Sequence, residues 1–223
     1  YVIAFITDTH YISFRRLNQV VDRINARGIN LLTLGGDYSH DNVAPTMDLL
    51  SNIKSRDGVF GVGGNHDNYY DLAKNMSQNG FIRLDNKSFQ VKPGFWITGV
   101  EYARKSPVKA DIKTTLGNIN QNDFILLLSH KPDAAMLPDA AKADLMLCGH
   151  LHGGQVTFFG LWAPALGPVK RQTAYGQRFM RGWAKGTEDH TDVYTSRGLG
   201  QLKFTFRVFA PPEVFFLTLH SSQ

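Results

Sequence analysis

The sequence predicts a four-layer α/β/β/α sandwich, in which two mixed β-sheets pack face to face with helices flanking them. Three observations lead there. Short apolar runs alternate with amphipathic helical patterns from Val2 to Gln78. The rhythm then changes to short strands separated by turn residues, from Phe81 to Val100. Strand-length apolar runs return at Phe124, Leu145, Val193 and Val214. The opening β-α-β-α-β-α pattern calls for three parallel strands with right-handed crossovers. With 223 residues and 43% hydrophobic content, the chain fits a single domain over residues 1–223 with a substantial core.

The elements follow in order. Val2 to Thr7 is an apolar run that stops at Asp8-Thr9-His10. Phe14, Leu17, Val20, Val21 and Ile24 share one helical face, and Gly28 supplies the stop. Ile29 to Leu34 is a second strand, ending at Gly35-Gly36-Asp37. Pro45 opens a helix whose apolar side is Met47, Leu50 and Ile53. Val59 to Val62 runs into Gly63-Gly64-Asn65-His66-Asp67, and Tyr69 to Gln78 reads as a helix. Phe81 to Leu84, Ser88 to Val91 and Phe95 to Val100 read as a meander turned by Asn86 and Pro93-Gly94. Asp111 to Ile119 is a helix weakened by Gly117. Phe124 to Leu128 ends at Ser129-His130, and Leu145 to Cys148 ends at Gly149-His150-Leu151-His152. Phe158 to Lys185 is irregular, rich in Gly, Pro and aromatics; strands at Val193 to Ser196 and Val214 to Leu219 close the chain.

Composition narrows the setting. A lone Cys148 excludes a disulfide within the chain. No apolar run approaches the roughly 18 residues of a membrane span. The chain opens on a strand pattern at Tyr1 without an initiator Met, so an upstream segment is expected to have been removed, with an N-terminal anchor or export signal among the readings left open. The net charge of +5 is concentrated between Gly153 and Ala210, where eight Lys/Arg face three acids. That segment is either a solubilising face or the side that meets an anionic partner.

Five predicted strands each stop at residues that can bind metals. They are Asp8 and His10, then Asp37, then Asn65 and His66, then His130, then His150 and His152. In Asp8-Thr9-His10 and His150-Leu151-His152 the paired residues are two apart, which places both on one side of an extended chain. Each box alone is weak, since a single His at a strand end is an ordinary surface residue and Gly35-Gly36-Asp37 is also a turn sequence. All five in succession point to one rim of carboxylate, amide and imidazole ligands. That donor set suits Zn, Mn or Fe. Two such ions about 3.5–4 Å apart clamp the attacking and leaving oxygens of a phosphoryl displacement. His40 and His190 fall outside these boxes and read as surface residues.

Asp8-x-His10, Gly36-Asp37, Gly64-Asn65-His66-Asp67, Ser129-His130 and Gly149-His150-x-His152 together resemble the motif set of the calcineurin-like metallophosphoesterases. Gly153-Gly154-Gln155, Ser196-Arg197-Gly198-Leu199-Gly200 and Pro212-Glu213 resemble one bacterial branch of that superfamily. That branch includes the YkuE and YaeI phosphodiesterases and the LpxG-type UDP-2,3-diacylglucosamine pyrophosphatases. The resemblance implies an enzyme with two divalent transition-metal ions, Mn, Zn or Fe, hydrolysing a phosphodiester or pyrophosphate. Asp8, His10 and His152 would hold one ion, with Asp37 bridging. Asn65, His130 and His150 would hold the other, and a metal-bridging hydroxide would attack phosphorus. His66 would act near the leaving group, as general acid or phosphate contact, with Asp67 orienting it. The implied setting is bacterial, cytoplasmic or peripheral to the inner membrane. The implied substrate is lipid-linked, such as UDP-2,3-diacylglucosamine, cleaved to 2,3-diacylglucosamine 1-phosphate and UMP in lipid A biosynthesis.

Other readings fit less well. A binding module that has lost catalysis would lack ligands, and none is missing here. A nuclease would need a long basic groove and a further DNA-engaging domain. A protein phosphatase, or a broad-specificity phosphodiesterase or phosphatase acting on soluble phosphate-containing small molecules, shares the same motifs. Between Phe158 and Lys185, Phe158, Phe159, Leu161, Trp162, Leu166, Phe179, Met180 and Trp183 interleave with Lys170, Arg171, Arg178, Arg181 and Lys185. Tyr11 to Arg16 has the same mixture. Either these aromatics cap the second sheet, or they form a lip that docks on an anionic membrane.

Overall fold

The computed structural model describes residues 1–167, 172–202 and 206–220. In chain order the elements are Val2–Ile6 (β1), Phe14–Arg27 (α1), Leu31–Leu34 (β2), Ala44–Leu50 (α2), Val59–Gly61 (β3), Tyr69–Gln78 (α3) and Ile82–Arg83 (β4). Lys87–Lys92 (β5), Phe95–Gly99 (β6), Ile112–Leu116 (α4), Phe124–Leu128 (β7) and Leu145–Cys148 (β8) follow. Gly182–Lys185 (β9), Asp192–Thr195 (β10) and Phe215–Thr218 (β11) complete the set.

Local chemistry explains the helices. Ser13 caps α1 by accepting from the Arg16 N–H, and Gly28, at φ 70°, ends it. Leu17, Val21 and Ile24 are the buried stripe; Phe14, read as part of that stripe, is the first residue of the helix and is 54% exposed. Pro45 lies in the first turn of α2. Asn68 caps α3 by accepting from Tyr70 and Asp71 N–H.

The strands form two sheets. One has the order β11-β1-β2-β3-β4, parallel except for β11 against β1. The other has the order β5-β6-β7-β8-β10-β9, parallel from β6 to β10 and antiparallel at both edges. The two-residue period of β1 divides its side chains between layers. Ile3 and Phe5 face the second sheet, against Ile97, Leu126 and Leu147. Ala4 and Ile6 face outward, against Leu17, Met47 and Met76 of the helices. The far face of the second sheet packs Ile125, Leu127, Met146 and Val193 on Ile112 and Leu116 of α4 and on Ala134, Ala135 and Ala140 of short 3₁₀ turns. The four layers are therefore as the sequence predicts, although the fourth is built mostly of single turns.

Two sequence expectations need correction. The predicted meander does not form. β4 pairs parallel with β3, continuing the crossover rhythm through α3, and only β5 and β6 make an antiparallel hairpin. The chain changes sheets at Asp85-Asn86, where Asn86 takes φ 52°. The segment from Phe158 to Lys185, read as irregular throughout, ends in a regular element, the edge strand β9 at Gly182–Lys185. No helix among the described residues is long and apolar enough to cross a membrane.

Candidate metal centre

All the parallel strands of one sheet end on the same side, and the two sheets point the same way at this rim. The segments after β1, β2, β3, β7 and β8 therefore meet. The backbone there is strained in a directed way. Asp8, Asp37, His150 and His152 all adopt positive φ (54°, 57°, 72° and 49°), a conformation that non-glycine residues seldom hold. Such outliers cluster where side chains are aimed for function. Two glycines make the approach possible. A Cβ on Gly64 would overlap the Asp37 carboxylate, and one on Gly149 would overlap that of Asp8.

Two clusters result. Ligand atoms of Asp8, His10 and His152 all lie within 4.8 Å of one another, as do those of Asp37, His130 and His150. In the first, His10 Nε2 and His152 Nε2 are 3.0 Å apart, and His152 Nε2 is 3.5 Å from Asp8 Oδ1. In the second, His130 Nε2 lies 3.2 Å from Asp37 Oδ2 and 3.1 Å from Asn65 Oδ1. Asp37 joins the two, since its Oδ2 is also 4.0 Å from His10 Nε2. Its Oδ1 is held separately, accepting from the His66 N–H at 2.8 Å. All seven residues predicted as ligands therefore converge.

The donor set fits cations. His130 Nδ1 donates to the Gly35 carbonyl (2.9 Å), which leaves the Nε2 lone pair facing Asp37 and Asn65. His150 Nε2 donates to the Gln172 carbonyl (3.1 Å), which leaves Nδ1 as its free donor atom. Burial pushes His10 down to about 4, His150 down to about 3, and His152 well below its ordinary value. These three imidazoles are neutral at pH 7, the form that ligates metal. Burial also lowers His130, but the adjacent Asp37 charge and hydrogen bond outweigh it and lift His130 to about 9. The same pairing holds Asp37 below the usual carboxylate range against the burial that would raise it. In the absence of a metal, a proton on His130 thus balances the Asp37 carboxylate.

His66 and Asp67 are placed differently from expectation. The His66 ring belongs to neither cluster; it stacks 5.3 Å from the His10 ring and is half-buried. The expected Asp67–His66 contact is replaced by another. The buried Asp67 carboxylate accepts from Asp37 N–H (2.8 Å), Gly64 N–H (2.8 Å) and Tyr38 N–H (2.9 Å). It therefore ties the segment after β2 to the segment after β3, and holds His66 only through the backbone.

Sequence reasoning missed two residues. His40, read as an ordinary surface residue, is half-buried with its ring 5.1 Å from His66 and 6.2 Å from His10. The available signal was its position three residues beyond Asp37 on the same strand end. Arg207, counted among the basic segment's charges, is drawn inward. It donates to the carbonyls of Gly200 (from Nε, 2.9 Å), Arg197 (2.7 Å) and His152 (3.2 Å). His190 is exposed, as expected.

The basic aromatic segment divides. Leu166, Phe179 and Met180 are core residues of the second sheet's outer face. Phe158, Phe159, Leu161, Trp162 and Trp183 are exposed, Phe159 and Leu161 by 78% and 81%. Phe158 and Trp162 pair across a tight turn with rings 5.7 Å apart. Arg178 donates to the Lys185 carbonyl, Arg181 to the Phe209 carbonyl, and Lys185 pairs with Asp192 at 2.7 Å. Lys170, Arg171 and Lys203 lie outside the described residues.

Comparisons with known proteins agree with this geometry. Residues 1–154 match the calcineurin-like phosphoesterase family. Phosphodiesterase YaeI of Escherichia coli is 30% identical, covering 97% of this chain and 81% of its own length. YkuE of Bacillus subtilis, described as an uncharacterized metallophosphoesterase, is 28% identical over 99% of this chain and 79% of its own. An uncharacterized metallophosphoesterase of Helicobacter pylori is 28% identical over 97% of this chain, which spans only 59% of that relative's length. In three dimensions the chain resembles a dimetal phosphatase from Danio rerio, with TM-score 0.51 and 10% identity over 89% of this chain and 87% of that one. With more than half its length matched and its two metal-competent clusters on one rim, the chain belongs to the calcineurin-like phosphoesterase family.

Proposed function

We propose that this protein hydrolyses a phosphodiester or pyrophosphate bond at a dinuclear centre, with the bond carried by a lipid-linked substrate. The observation that carries the reading is Asp37, whose one free oxygen faces His130 of one cluster and His10 of the other. Asp8, His10 and His152 would hold one divalent ion, and Asn65, His130 and His150 the other, with Asp37 shared. Bound there, Mn, Zn or Fe would polarise the phosphoryl oxygens and acidify a water molecule. The chain's own residues do the rest. The Gly35 and Gln172 carbonyls fix which nitrogen each imidazole presents. The His66 ring, bound to neither cluster, is free to face the leaving oxygen and deliver a proton there. Asp67 sets the distance between the Asp37 and Asn65 segments.

The exposed Phe158–Trp162 turn, with Tyr11 and Phe14 exposed elsewhere, supports contact with a membrane surface. It is a reason to favour a lipid-linked phosphoester, UDP-2,3-diacylglucosamine among them, over a soluble one. The setting this implies is bacterial, peripheral to the inner membrane. The test is a metal-reconstituted screen of bis-p-nitrophenyl phosphate, nucleotide-diphosphate lipids and phosphomonoesters, with elemental analysis of the same samples. Two ions per chain are expected in the native protein. Asp37→Asn should lower turnover roughly a thousandfold, about 4 kcal/mol of transition-state stabilisation. At most one ion per chain after saturation would refute the dinuclear assignment, and a preference for phosphomonoesters would refute the substrate class.

A further inference from the structure

Beside the metal rim a hollow of about 570 Å³ lies between α1 and the chain's last described segment. Arg16, Val20 and Arg23 line one side, and Leu199, Val214 and Phe216 the other. A second hollow of about 150 Å³ shares Ile12, Arg16, Leu199 and Pro212 with the first and continues to Tyr11, Gly200 and Arg207. Those last residues belong to the rim. The Tyr11 ring lies 5.5 Å from that of His10 and 4.8 Å from that of His40, and Arg207 donates to the His152 carbonyl. The hollows therefore join into one trough that starts at the metal centre and runs along α1. Its size falls in the usual range for small-molecule sites.

The fold explains the trough. The buried stripe of α1, Leu17, Val21 and Ile24, covers the outer faces of β1 and β2. β11 is added antiparallel beyond β1, and its Phe216 and the neighbouring Val214 are only partly covered. The floor is thus apolar. The rim is cationic, because Arg16 and Arg23 stand two helical turns apart on one side of α1. Among the described residues neither guanidinium has an ion-pair or hydrogen-bond partner. Glu213, the acid lining the trough, is already engaged by Arg197 Nε at 2.8 Å.

We propose that this trough is a second binding site, continuous with the metal centre, that takes the apolar chain of an anionic amphiphile whose phosphoryl group rests at the rim. The inference rests on the phosphoester reading above and deepens it by placing the chain. Unpaired cations over an apolar floor select an anionic group joined to a hydrocarbon, and the open end at Tyr11 places that group beside the ligands.

The experiment is calorimetric titration of the metal-loaded protein with butyl phosphate, dodecyl phosphate and dodecyltrimethylammonium, below their micelle concentrations. Each buried methylene is worth about fourfold in affinity. Dodecyl phosphate should therefore bind at least a hundredfold tighter than butyl phosphate, and dodecyltrimethylammonium at least tenfold weaker than dodecyl phosphate. Gln19→Trp, which fills the trough from the exposed side of α1, should cut the chain-length ratio below fivefold. Arg16→Glu with Arg23→Glu should weaken dodecyl phosphate at least tenfold. A chain-length ratio that is the same in Gln19→Trp as in the native protein, or absent in both, would overturn the proposal. So would a dimer, seen by sedimentation, that Gln19→Trp dissociates while dodecyl phosphate fails to bind. Turnover of bis-p-nitrophenyl phosphate on the same samples reports the phosphoester reading separately. Its absence with an intact chain-length ratio would sink that reading and uphold the trough.

Discussion

Asp67→Asn should destabilise the protein by about 3 kcal/mol and loosen the metal centre, although Asp67 reaches neither cluster. The wild-type carboxylate accepts three backbone N–H bonds, two at Oδ2 from Asp37 and Gly64 and one at Oδ1 from Tyr38. A neutral amide can keep the pair at its oxygen. Its NH₂ must then face the Tyr38 N–H, so one donor is left buried and unpaired. Losing the charge-assisted character of the bonds costs about 1.5–3 kcal/mol, and a buried unpaired donor adds about 1–3 kcal/mol. Part of this is offset, because burial and the nearby Asp37 charge lift the Asp67 carboxyl to about 7, so the ionised form is expensive in that place. For a chain of this length, 3 kcal/mol corresponds to about 6–12 °C in Tm. Chemical denaturation of the metal-free protein measures it, with the exposed Asp22→Asn on α1 as a control expected within about 0.5 kcal/mol of wild type. The same variant should bind metal more weakly, since the Asp37 and Asn65 segments lose their tie. A loss below 1 kcal/mol with full metal occupancy would show that the two segments are held by something else.

Two further outcomes are expected. His66→Ala should lower turnover by about 10²–10⁴ while leaving metal content intact, and the loss should shrink on p-nitrophenyl esters, whose leaving groups need no acid; an equal loss on poor leaving groups would assign His66 to phosphate positioning. The metal-free protein should lose stability as pH rises from 6.5 to 9. Below that range the titrations oppose one another: His10 and His150, depressed to about 4 and 3, lose stability as pH falls, whereas Asp8 and Asp67, raised by burial to about 6 and 7, gain it. Within it, His130, raised to about 9, loses the proton that stabilises its pairing with Asp37, so that contribution fades as pH climbs to 9. Thermal melts of chelated protein from pH 5 to 9 decide this; a Tm that rises steadily from 6.5 to 9 would contradict it.

The strand-and-helix rhythm of the first 80 residues was legible because each apolar run had one period and the helices carried start or stop residues, as with Pro45 and Gly28. The seven converging residues predicted as ligands were legible because each follows a strand, and parallel strands deliver their ends to one edge. What stayed hidden depended on pairing or contact. Phe81 to Leu84 looks the same whether it joins a meander or closes a crossover; α3 before it, burying Leu72 and Met76, decides for the crossover. Asp67 follows His66 in sequence, which suggests contact, yet the turn aims its carboxylate back at the Asp37 and Gly64 amides. Arg207 looked like one more surface cation, and only the folded chain places five backbone carbonyls, those of Gly200, Arg197, His152, Ala210 and Gly198, and the His152 ring around its guanidinium.

The aromatics between Phe158 and Lys185 show why composition alone could not decide between core and surface. Phe179 and Phe159 have the same side chain and stand twenty residues apart, but one is 1% exposed and the other 78%. Phe179 lies beneath the second sheet's outer layer, with the Tyr175 ring edge-on at 5.8 Å and Arg178 beside it. Phe159 sits at the tip of a turn, with φ 49° and Gly160 following, and its ring lies 5.5 Å from that of Phe209, which is itself exposed. A positive-φ aromatic at a turn tip is strained and solvated at once, a combination that stability alone does not favour. That argues for an apolar environment outside the folded chain. The charges nearby do not add to it, because Arg178, Arg181 and Lys185 are spent on internal carbonyls and on Asp192. The Arg16 and Arg23 guanidiniums beside the trough, by contrast, have no ion-pair or hydrogen-bond partner among the described residues. If the protein meets a lipid surface, the apolar tip anchors it and the α1 guanidiniums receive the anionic group, two separate tasks carried by two separate elements.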